Sequence, residues 1–240
     1  MLEAVARRKA TVDRLTGTDG RQPREDLVTS AVFGPLAMLA SPGRALDALL
    51  GLPPQWSLQD AEDVKVCLWP KLGGTQQEPD VTIRARASDG RSRRLLVEVK
   101  WGAPLGYQQI GRYVALMRDA GQAPDHVVLL GYEAAKHEQA LAEQEAAAEL
   151  AVTRRSWREA ARDLGRLAAS GDHACGAWAD QVHRFLQATE KGHLFRGFGH
   201  LGFAEPASAA RFYRAAGASP WFTDAVRPGP APYAFRRGQE

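Results

Sequence analysis

The chain has few of the residues that mark a disulfide scaffold or a structural zinc site. Its 240 residues include only two cysteines. These are Cys67 and Cys175, which are far apart in sequence, and neither belongs to a Cys-x-x-Cys pair. The spacing of a zinc knuckle is therefore absent. With so little cysteine, we expect a reducing, cytoplasmic environment.

Long apolar runs are missing as well. No stretch approaches the roughly 20 consecutive apolar residues of a membrane-spanning helix. Residues 1–14 mix acidic, basic and alanine residues and lack the apolar centre of a secretory signal peptide. We therefore expect no membrane partner.

Several nucleotide-binding and hydrolase motifs are also absent. Gly73-Gly74 is not followed by the Gly-Lys-Ser/Thr of a P-loop, and the chain has no Gly-x-Gly-x-x-Gly and no Gly-x-Ser-x-Gly. The charge is only mildly one-sided, with 31 Lys and Arg against 28 Asp and Glu. Such a small excess favours an anionic partner without proving one.

The residues that are present predict one well-packed α/β domain. Hydrophobic residues make up 45% and charged residues 25% of the chain, which is typical of a globular protein. Apolar periodicity and Pro/Gly breaks define the predicted elements. These are helices over 24–39 and 45–50, strands over 64–69, 81–85 and 95–100, a helix over 105–120, a strand over 125–131, a helix over 133–149, a strand over 150–153, and helices over 157–168 and 172–189.

Three charged residues at the ends of two predicted strands carry the functional prediction. Glu98 and Lys100 end a buried strand and share one face, because side chains alternate along a strand. Asp80 opens the preceding strand. If a turn over residues 88–91 joins the two strands as a hairpin, Asp80 lies beside Glu98 and Lys100. Buried charges need partners or a metal, so this grouping predicts a Mg²⁺ site suited to phosphodiester cleavage.

The same residues resemble a known nuclease motif. Pro79-Asp80 followed by Glu98-Val99-Lys100 resembles the PD-(D/E)xK signature of the restriction-endonuclease-like nuclease superfamily. That family's core is a helix, a three-stranded meander, a helix and a strand, which is also the order predicted here. The resemblance covers residues 24–131 and implies an α/β fold of that type, and the additional C-terminal helices predicted here lie outside it.

A second motif extends the resemblance. Gln109 and Tyr113 form a QxxxY pattern, as in the lambda-exonuclease-like and RecB-like branches, and they share one helix face because they are one turn apart. An acidic residue of the first helix also has a counterpart in those branches. Either Glu25 or Asp26 fills that position.

The resemblance implies a division of roles within the site. Asp80, Glu98 and the Val99 carbonyl would hold Mg²⁺, for which Mn²⁺ would substitute, and Glu25 would hold a second metal ion or a water. Lys100 would orient or deprotonate the attacking water, or stabilise developing charge.

The two residues of the QxxxY pattern would assist the metal site in cleavage. Gln109 would orient Lys100 or the water, and Tyr113 would touch the phosphate. The implied activity is that of a divalent-metal-dependent nuclease acting on DNA rather than RNA, in bacterial defence, repair or recombination.

Simpler explanations stay open for each signal. Glu98 and Lys100 also fit an exposed ion pair of little energetic value. Gln109 and Tyr113 also fit a helix edge and a core position, and Glu25 also fits a favourable charge at a helix N-terminus. Two alternative functions also stay open. The chain is a non-catalytic nucleic-acid-binding or assembly subunit, or it is a nuclease that is active only with a partner protein. A homodimer is also compatible with the family.

The domain boundaries and the basic residues complete the predictions. We expect an N-terminal extension over 1–22, a nuclease core over 23–155, and a helical, Arg- and aromatic-rich region over 156–240 packed on the core. From Lys191 that region either binds nucleic acid or packs against the core or another subunit. The alternating Arg84 and Arg86 fit the solvated face of an edge strand, or they belong to a basic cluster around the expected hairpin that follows a phosphate backbone. Its members are Lys65, Lys71, Arg84, Arg86, Arg91, Arg93 and Arg94.

Overall fold

A five-stranded mixed sheet lies at the centre of the computed structural model. The structure describes residues 25–72, 75–86, 90–148 and 151–188, all of which belong to the first of the two units into which the chain divides, Met1–Leu194. The predicted extension over 1–22, residues 88–89 of the expected turn and the segment from Lys191 lie outside the described residues.

The strands lie side by side in chain order. The first three pair antiparallel and the last three pair parallel. Parallel neighbours need a crossover connection, which a helix supplies twice here. The strands are β1 (Glu62–Leu68), β2 (Val81–Arg86), β3 (Ser92–Val99), β4 (His126–Leu130) and β5 (Val152–Arg155).

Six α-helices within the described ranges complete a mixed α/β architecture, which confirms the predicted α/β class. None of these helices combines the length and the apolar character needed to cross a bilayer. The helices are α1 (Glu25–Phe33), α2 (Gly43–Leu50), α3 (Gln109–Asp119), α4 (Ala134–Ala148), α5 (Trp157–Ala168) and α6 (His173–Ala188).

The observed helix bounds differ most from the predicted ones at two places. The first helix was predicted over 24–39, but its α-helical part ends at Phe33 and a 3₁₀ turn, Gly34–Met38, follows. Pro35 explains the change, because proline has no N–H and disfavours the α conformation of the residue before it. Helix α3 begins at Gln109 rather than at residue 105, so the residues between form a loop beside the end of β3.

Each face of the sheet has its own apolar core. Val97 of β3 packs in one core with residues of α1, α2, α5 and α6, such as Phe33 and Leu49. Leu96 points to the opposite face and packs with residues of α3 and α4, such as Ile110. Side-chain alternation along β3 therefore separates two layers of helices.

The strand directions bring three chain segments to one edge of the sheet. Because β2 and β3 are antiparallel, the amino end of β2 lies beside the carboxyl end of β3, with Val81 opposite Val97. The amino end of α1 also reaches this edge, since Glu25 accepts the backbone N–H of Trp101 at 3.0 Å. Side chains from distant parts of the sequence thus meet at this edge.

Candidate metal centre

Glu98 is the most deeply buried member of a charged cluster at this edge. Glu98 is fully buried on the α3 side of the sheet. Its Oε1 lies 2.6 Å from Lys100 Nζ and accepts a hydrogen bond from Gln109 Nε2 at 2.7 Å. Its Oε2 receives no hydrogen bond from any described residue. A buried carboxylate oxygen without a donor is costly, so Oε2 is suited to a cation.

Asp80 lies immediately before β2 and is oriented by two backbone contacts. Its carbonyl accepts the N–H of Trp69 at 3.0 Å, and its Oδ2 accepts the N–H of Val99 at 2.8 Å. Burial, followed by the negative charge of Glu98, raises the pKa of Asp80 well above its ordinary value. Burial also raises the pKa of Glu98, although the ammonium of Lys100 opposes that shift. Both carboxylates therefore favour a nearby positive charge.

Glu25 supplies the third carboxylate from the first turn of α1. Its Oε1 lies 3.3 Å from Lys100 Nζ, and its Oε2 accepts the Trp101 N–H at 3.0 Å. Of the two acids that the sequence left open, Glu25 is the one that joins the cluster, while Asp26 is not a member of it.

Asp80, Glu98 and Glu25 converge closely enough to share one ion. One carboxylate oxygen from each lies within 4.8 Å of the other two. Magnesium prefers carboxylate oxygens and retains several waters. The donor set and the unpaired Glu98 Oε2 fit such an ion. Val99 contributes its N–H to Asp80, and the role of its carbonyl as a further ligand stays a prediction.

Lys100 is buried directly beside this cluster, with its side chain 5% exposed. Burial alone would lower the pKa of its ammonium, but the charges of Glu98 and Glu25 outweigh burial and raise the pKa. Its backbone is fixed at both ends. The N–H donates to the Leu130 carbonyl at 2.7 Å, and the carbonyl accepts from Trp157 Nε1 at 2.8 Å.

Gln109 reaches Glu98, and Tyr113 lies beside Gln109 on the same helix face and packs in the core on the α3 side. Gln109 contacts Glu98 rather than Lys100, and its Oε1 accepts the N–H of Gly106 at 3.1 Å. The contact from Gln109 Nε2 to the Tyr113 hydroxyl is longer, 3.4 Å. The N-cap residue Gln108 has a left-handed backbone, with φ 47°. The structure thus places Gln109 against Glu98, and its expected role in orienting Lys100 or the water stays a prediction.

Two residues behind the cluster have no signal in the sequence. Gly131, after β4, passes so close to the strand end that a Cβ there would lie 1.9 Å from the Lys100 carbonyl oxygen. Trp157, the first residue of α5, donates to the same oxygen. Neither lies in the predicted motif, and both reach Lys100 through contacts between residues far apart in the chain.

The comparisons with known proteins add no family to this description. No protein-family model, no curated protein and no solved structure matches the chain.

Proposed function

We propose that the chain is a divalent-metal-dependent nuclease that hydrolyses phosphodiester bonds in DNA, with a restriction-endonuclease-like core. The observation that supports this most is the meeting of Asp80, Glu98 and Glu25 within 4.8 Å of one another, with Lys100 in contact with two of them. A structural ion pair needs only one carboxylate for one lysine. The two additional acids are costly unless a cation joins them.

Asp80, Glu98 and Glu25 are the residues that would hold Mg²⁺ or Mn²⁺. When bound, such an ion neutralises phosphate charge and acidifies water. The chain's own residues prepare the site for it. The Val99 N–H fixes Asp80, Gln109 fixes Glu98, and both hydrogen bonds set the carboxylates before any substrate binds.

Besides the metal ion, the ammonium of Lys100 would supply a positive charge at the site. Glu98 and Glu25 raise the pKa of this ammonium against the effect of burial, so their charges favour its protonated form. In that form it donates hydrogen bonds and stabilises negative charge that develops on a phosphate oxygen. Gln109 excludes other orientations of Glu98 by holding its Oε1 at 2.7 Å. The preference for DNA over RNA rests on the resemblance alone.

The activity test is incubation of the full chain with plasmid, linear duplex DNA, single-stranded DNA and RNA. Each substrate is tested with Mg²⁺, with Mn²⁺ and with EDTA. We expect cutting that needs the metal. Asp80→Asn and Lys100→Ala abolish it while the circular dichroism spectrum keeps its shape. Asp119→Asn, an exposed acid at the end of α3, is the matched control and leaves the rate unchanged.

Three results would count against the proposal as stated. Equal cutting by wild type and Asp80→Asn would assign the activity to a contaminant or to another site. Binding of nucleic acid without cutting, for every metal and substrate, would favour the non-catalytic subunit. Cutting that appears only when a partner protein is added would favour the partner-dependent effector.

A further inference from the structure

Strand β2 presents two arginines to solvent from inside the sheet. Arg84 and Arg86 are exposed while their neighbours Ile83 and Ala85 are buried. One interpretation of the sequence was that this alternation of exposed arginines and buried residues marks an edge strand. That explanation is wrong, because β2 is flanked by β1 and β3. Blunting of a sheet edge therefore does not account for these cations.

The strand register places three cations in one line across the sheet. Lys65 of β1 lies opposite Arg84, and Arg84 lies opposite Arg94 of β3. We name these three residues the basic row. Side chains directly opposite in an antiparallel pair have Cβ atoms about 5 Å apart, and like charges there are destabilising. The fold thus accepts a local electrostatic cost at the basic row.

Little within the described residues neutralises the basic row. Lys65 lies 3.4 Å from the exposed carboxylate of Asp63. Arg94 donates from its guanidinium to the neutral carbonyl of Gly121 at 3.2 Å, while Asp125 accepts its backbone N–H. Arg84 has no ion-pair partner among residues 25–72, 75–86, 90–148 and 151–188. The central member of the row is therefore available to an external anion.

A cavity opens beside the basic row. Its volume is about 180 Å³, and Arg84, Arg94 and Lys71 all line it. Thr82 and Gln122 add polar groups to the same wall. Three cations with hydroxyl and amide groups around one concave surface suit a phosphate.

The basic row also lies on the same sheet face as the metal centre. Residues 80, 82 and 84 point to one side because side chains alternate along a strand. Glu98 and Arg94 share that side of β3 for the same reason. Arg84 lies four positions after Asp80 in the chain, which corresponds to about 13 Å along the strand.

We propose that the basic row and Lys71 bind the phosphate backbone of the nucleic acid at a distance from the bond that is cut. This inference rests on the proposed nuclease function and extends it with a second contact surface. At about 3.4 Å per base pair, 13 Å spans about four base pairs of duplex. The substrate must therefore continue beyond the cut position to reach the row.

The test is the salt dependence of nucleic-acid binding by the full chain. A fluorescein-labelled DNA duplex is titrated in EDTA, so that binding is measured without cleavage, over a series of salt concentrations. Log K falls linearly as log salt rises, and removing one phosphate contact makes that slope shallower by about 1. The loss corresponds to about tenfold weaker binding near 0.1 M salt. We expect this change for Arg84→Gln. Arg158→Gln removes an equal charge from an exposed position of α5, on the opposite side of the sheet, and keeps the wild-type slope.

A charge reversal separates binding from folding. In Arg84→Glu the new carboxylate lies between Lys65 and Arg94, so like-charge repulsion becomes attraction. We expect the melting temperature to stay equal or to rise while affinity for DNA falls further than in Arg84→Gln. A lower melting temperature with unchanged affinity would assign the row a structural role and overturn the inference.

The outcomes distinguish this inference from the nuclease proposal. If wild type cuts DNA and Arg84→Gln keeps its affinity and salt slope, the inference is overturned and the nuclease proposal stands. If Arg84→Gln weakens binding but Asp80→Asn still cuts at the wild-type rate, the binding surface stands and the proposed catalytic site fails. If wild type neither binds nor cuts any of the four substrates, both are overturned.

Discussion

Single side chains determine how well the carboxylates are oriented, and Gln109 is the clearest case. It donates to Glu98 Oε1 at 2.7 Å and accepts from the Gly106 N–H at 3.1 Å. It therefore ties the loop before α3 to the end of β3. A residue that orients a ligand without itself carrying charge affects the reaction through that ligand.

We predict that Gln109→Leu lowers the cleavage rate about 10- to 100-fold and weakens metal affinity by a similar factor. The physical reason is that Glu98 loses the donor that fixes its rotamer. Steady-state cleavage over a Mg²⁺ titration measures both effects. Gln139→Leu, on the exposed side of α4, is the control and changes neither. An unchanged metal dependence in Gln109→Leu would place Gln109 outside the site.

Asp80 carries a second prediction at this scale, because a functional carboxylate is costly to the empty protein. Burial and the charge of Glu98 raise the pKa of Asp80, so its ionised form destabilises the fold. Asp80→Asn keeps the acceptor for the Val99 N–H and removes the charge. In EDTA we expect the variant to be more stable to urea than wild type, by about 1 kcal/mol.

With a divalent metal bound, we expect wild type to become more stable to urea than Asp80→Asn. At a Mg²⁺ concentration about 100 times its Kd, wild type gains about 2.7 kcal/mol and the variant gains less. Asp119→Asn, the exposed control, behaves like wild type in both conditions. A variant less stable than wild type in EDTA would show that Asp80 serves the fold rather than a cation.

The elements behind the metal centre are packed against its backbone. Gly131, immediately after β4, has φ 89°, and a Cβ there would lie 1.9 Å from the Lys100 carbonyl oxygen and 2.7 Å from Trp157 Nε1. Backbone atoms cannot move away from such a contact as a flexible side chain can. The close approach of β4 thus holds the strand end that carries Lys100.

We predict that Gly131→Ala destabilises the fold by roughly 3 kcal/mol or more, because it adds a backbone clash to an unfavourable φ. Gly121→Ala is the matched control. Gly121 also has positive φ, 66°, but a Cβ there would meet nothing within 4 Å, so only about 1–2 kcal/mol of backbone strain is expected. Urea denaturation measures both variants. Equal losses would show that the contact with Lys100 is not restrictive.

The first residue of β4 gives the fold a dependence on pH. Burial lowers the pKa of His126 below its ordinary value. Its ring stacks on Trp56 at 5.5 Å, and its Nε2 lies 2.7 Å from the Thr153 hydroxyl. The folded chain therefore binds a proton at this ring less readily than the unfolded chain.

Acidification should accordingly weaken wild type more than a variant without this ring. Because the folded pKa is the lower one, stability is full above about pH 6.5, the unfolded value, and falls as the pH drops toward the folded value. His126→Gln should lose less stability than wild type between about pH 7.5 and about pH 5.5. His173→Gln, at an exposed position, should lose as much as wild type. Melting curves at the two pH values measure this, and parallel losses in all three proteins would contradict it.

The whole molecule shows how far local sequence patterns reach. Periodicity and Pro/Gly breaks predict nine of the eleven α-helices and strands of the described ranges to within three residues at each end, since each apolar face belongs to a single segment. Helix α5, predicted over 157–168, is observed with those bounds. Its capping box, with Ser156 and Glu159 bonded reciprocally, is a local motif. Local motifs of this kind need no information from the rest of the chain.

Contacts between segments required the folded structure. Arg155 donates to the carbonyls of Ala48 and Leu49 at the end of α2 and pairs with Asp163 at 2.7 Å. It joins β5, α2 and α5, yet nothing in its sequence surroundings distinguishes it from an exposed arginine. The partners lie more than a hundred residues away for α2, so no local pattern records them.

The sequence alone determined the α/β class, the order of elements and the charged residues 80, 98 and 100 at the strand ends, because strand alternation and apolar periodicity are local properties. Tertiary structure alone decided that Glu25 rather than Asp26 joins the cluster, and that Gln109 holds Glu98. It also decided that β2 is an internal strand with its cations aligned across the sheet. Those outcomes depend on strand order and register, which arise only when distant segments pack together.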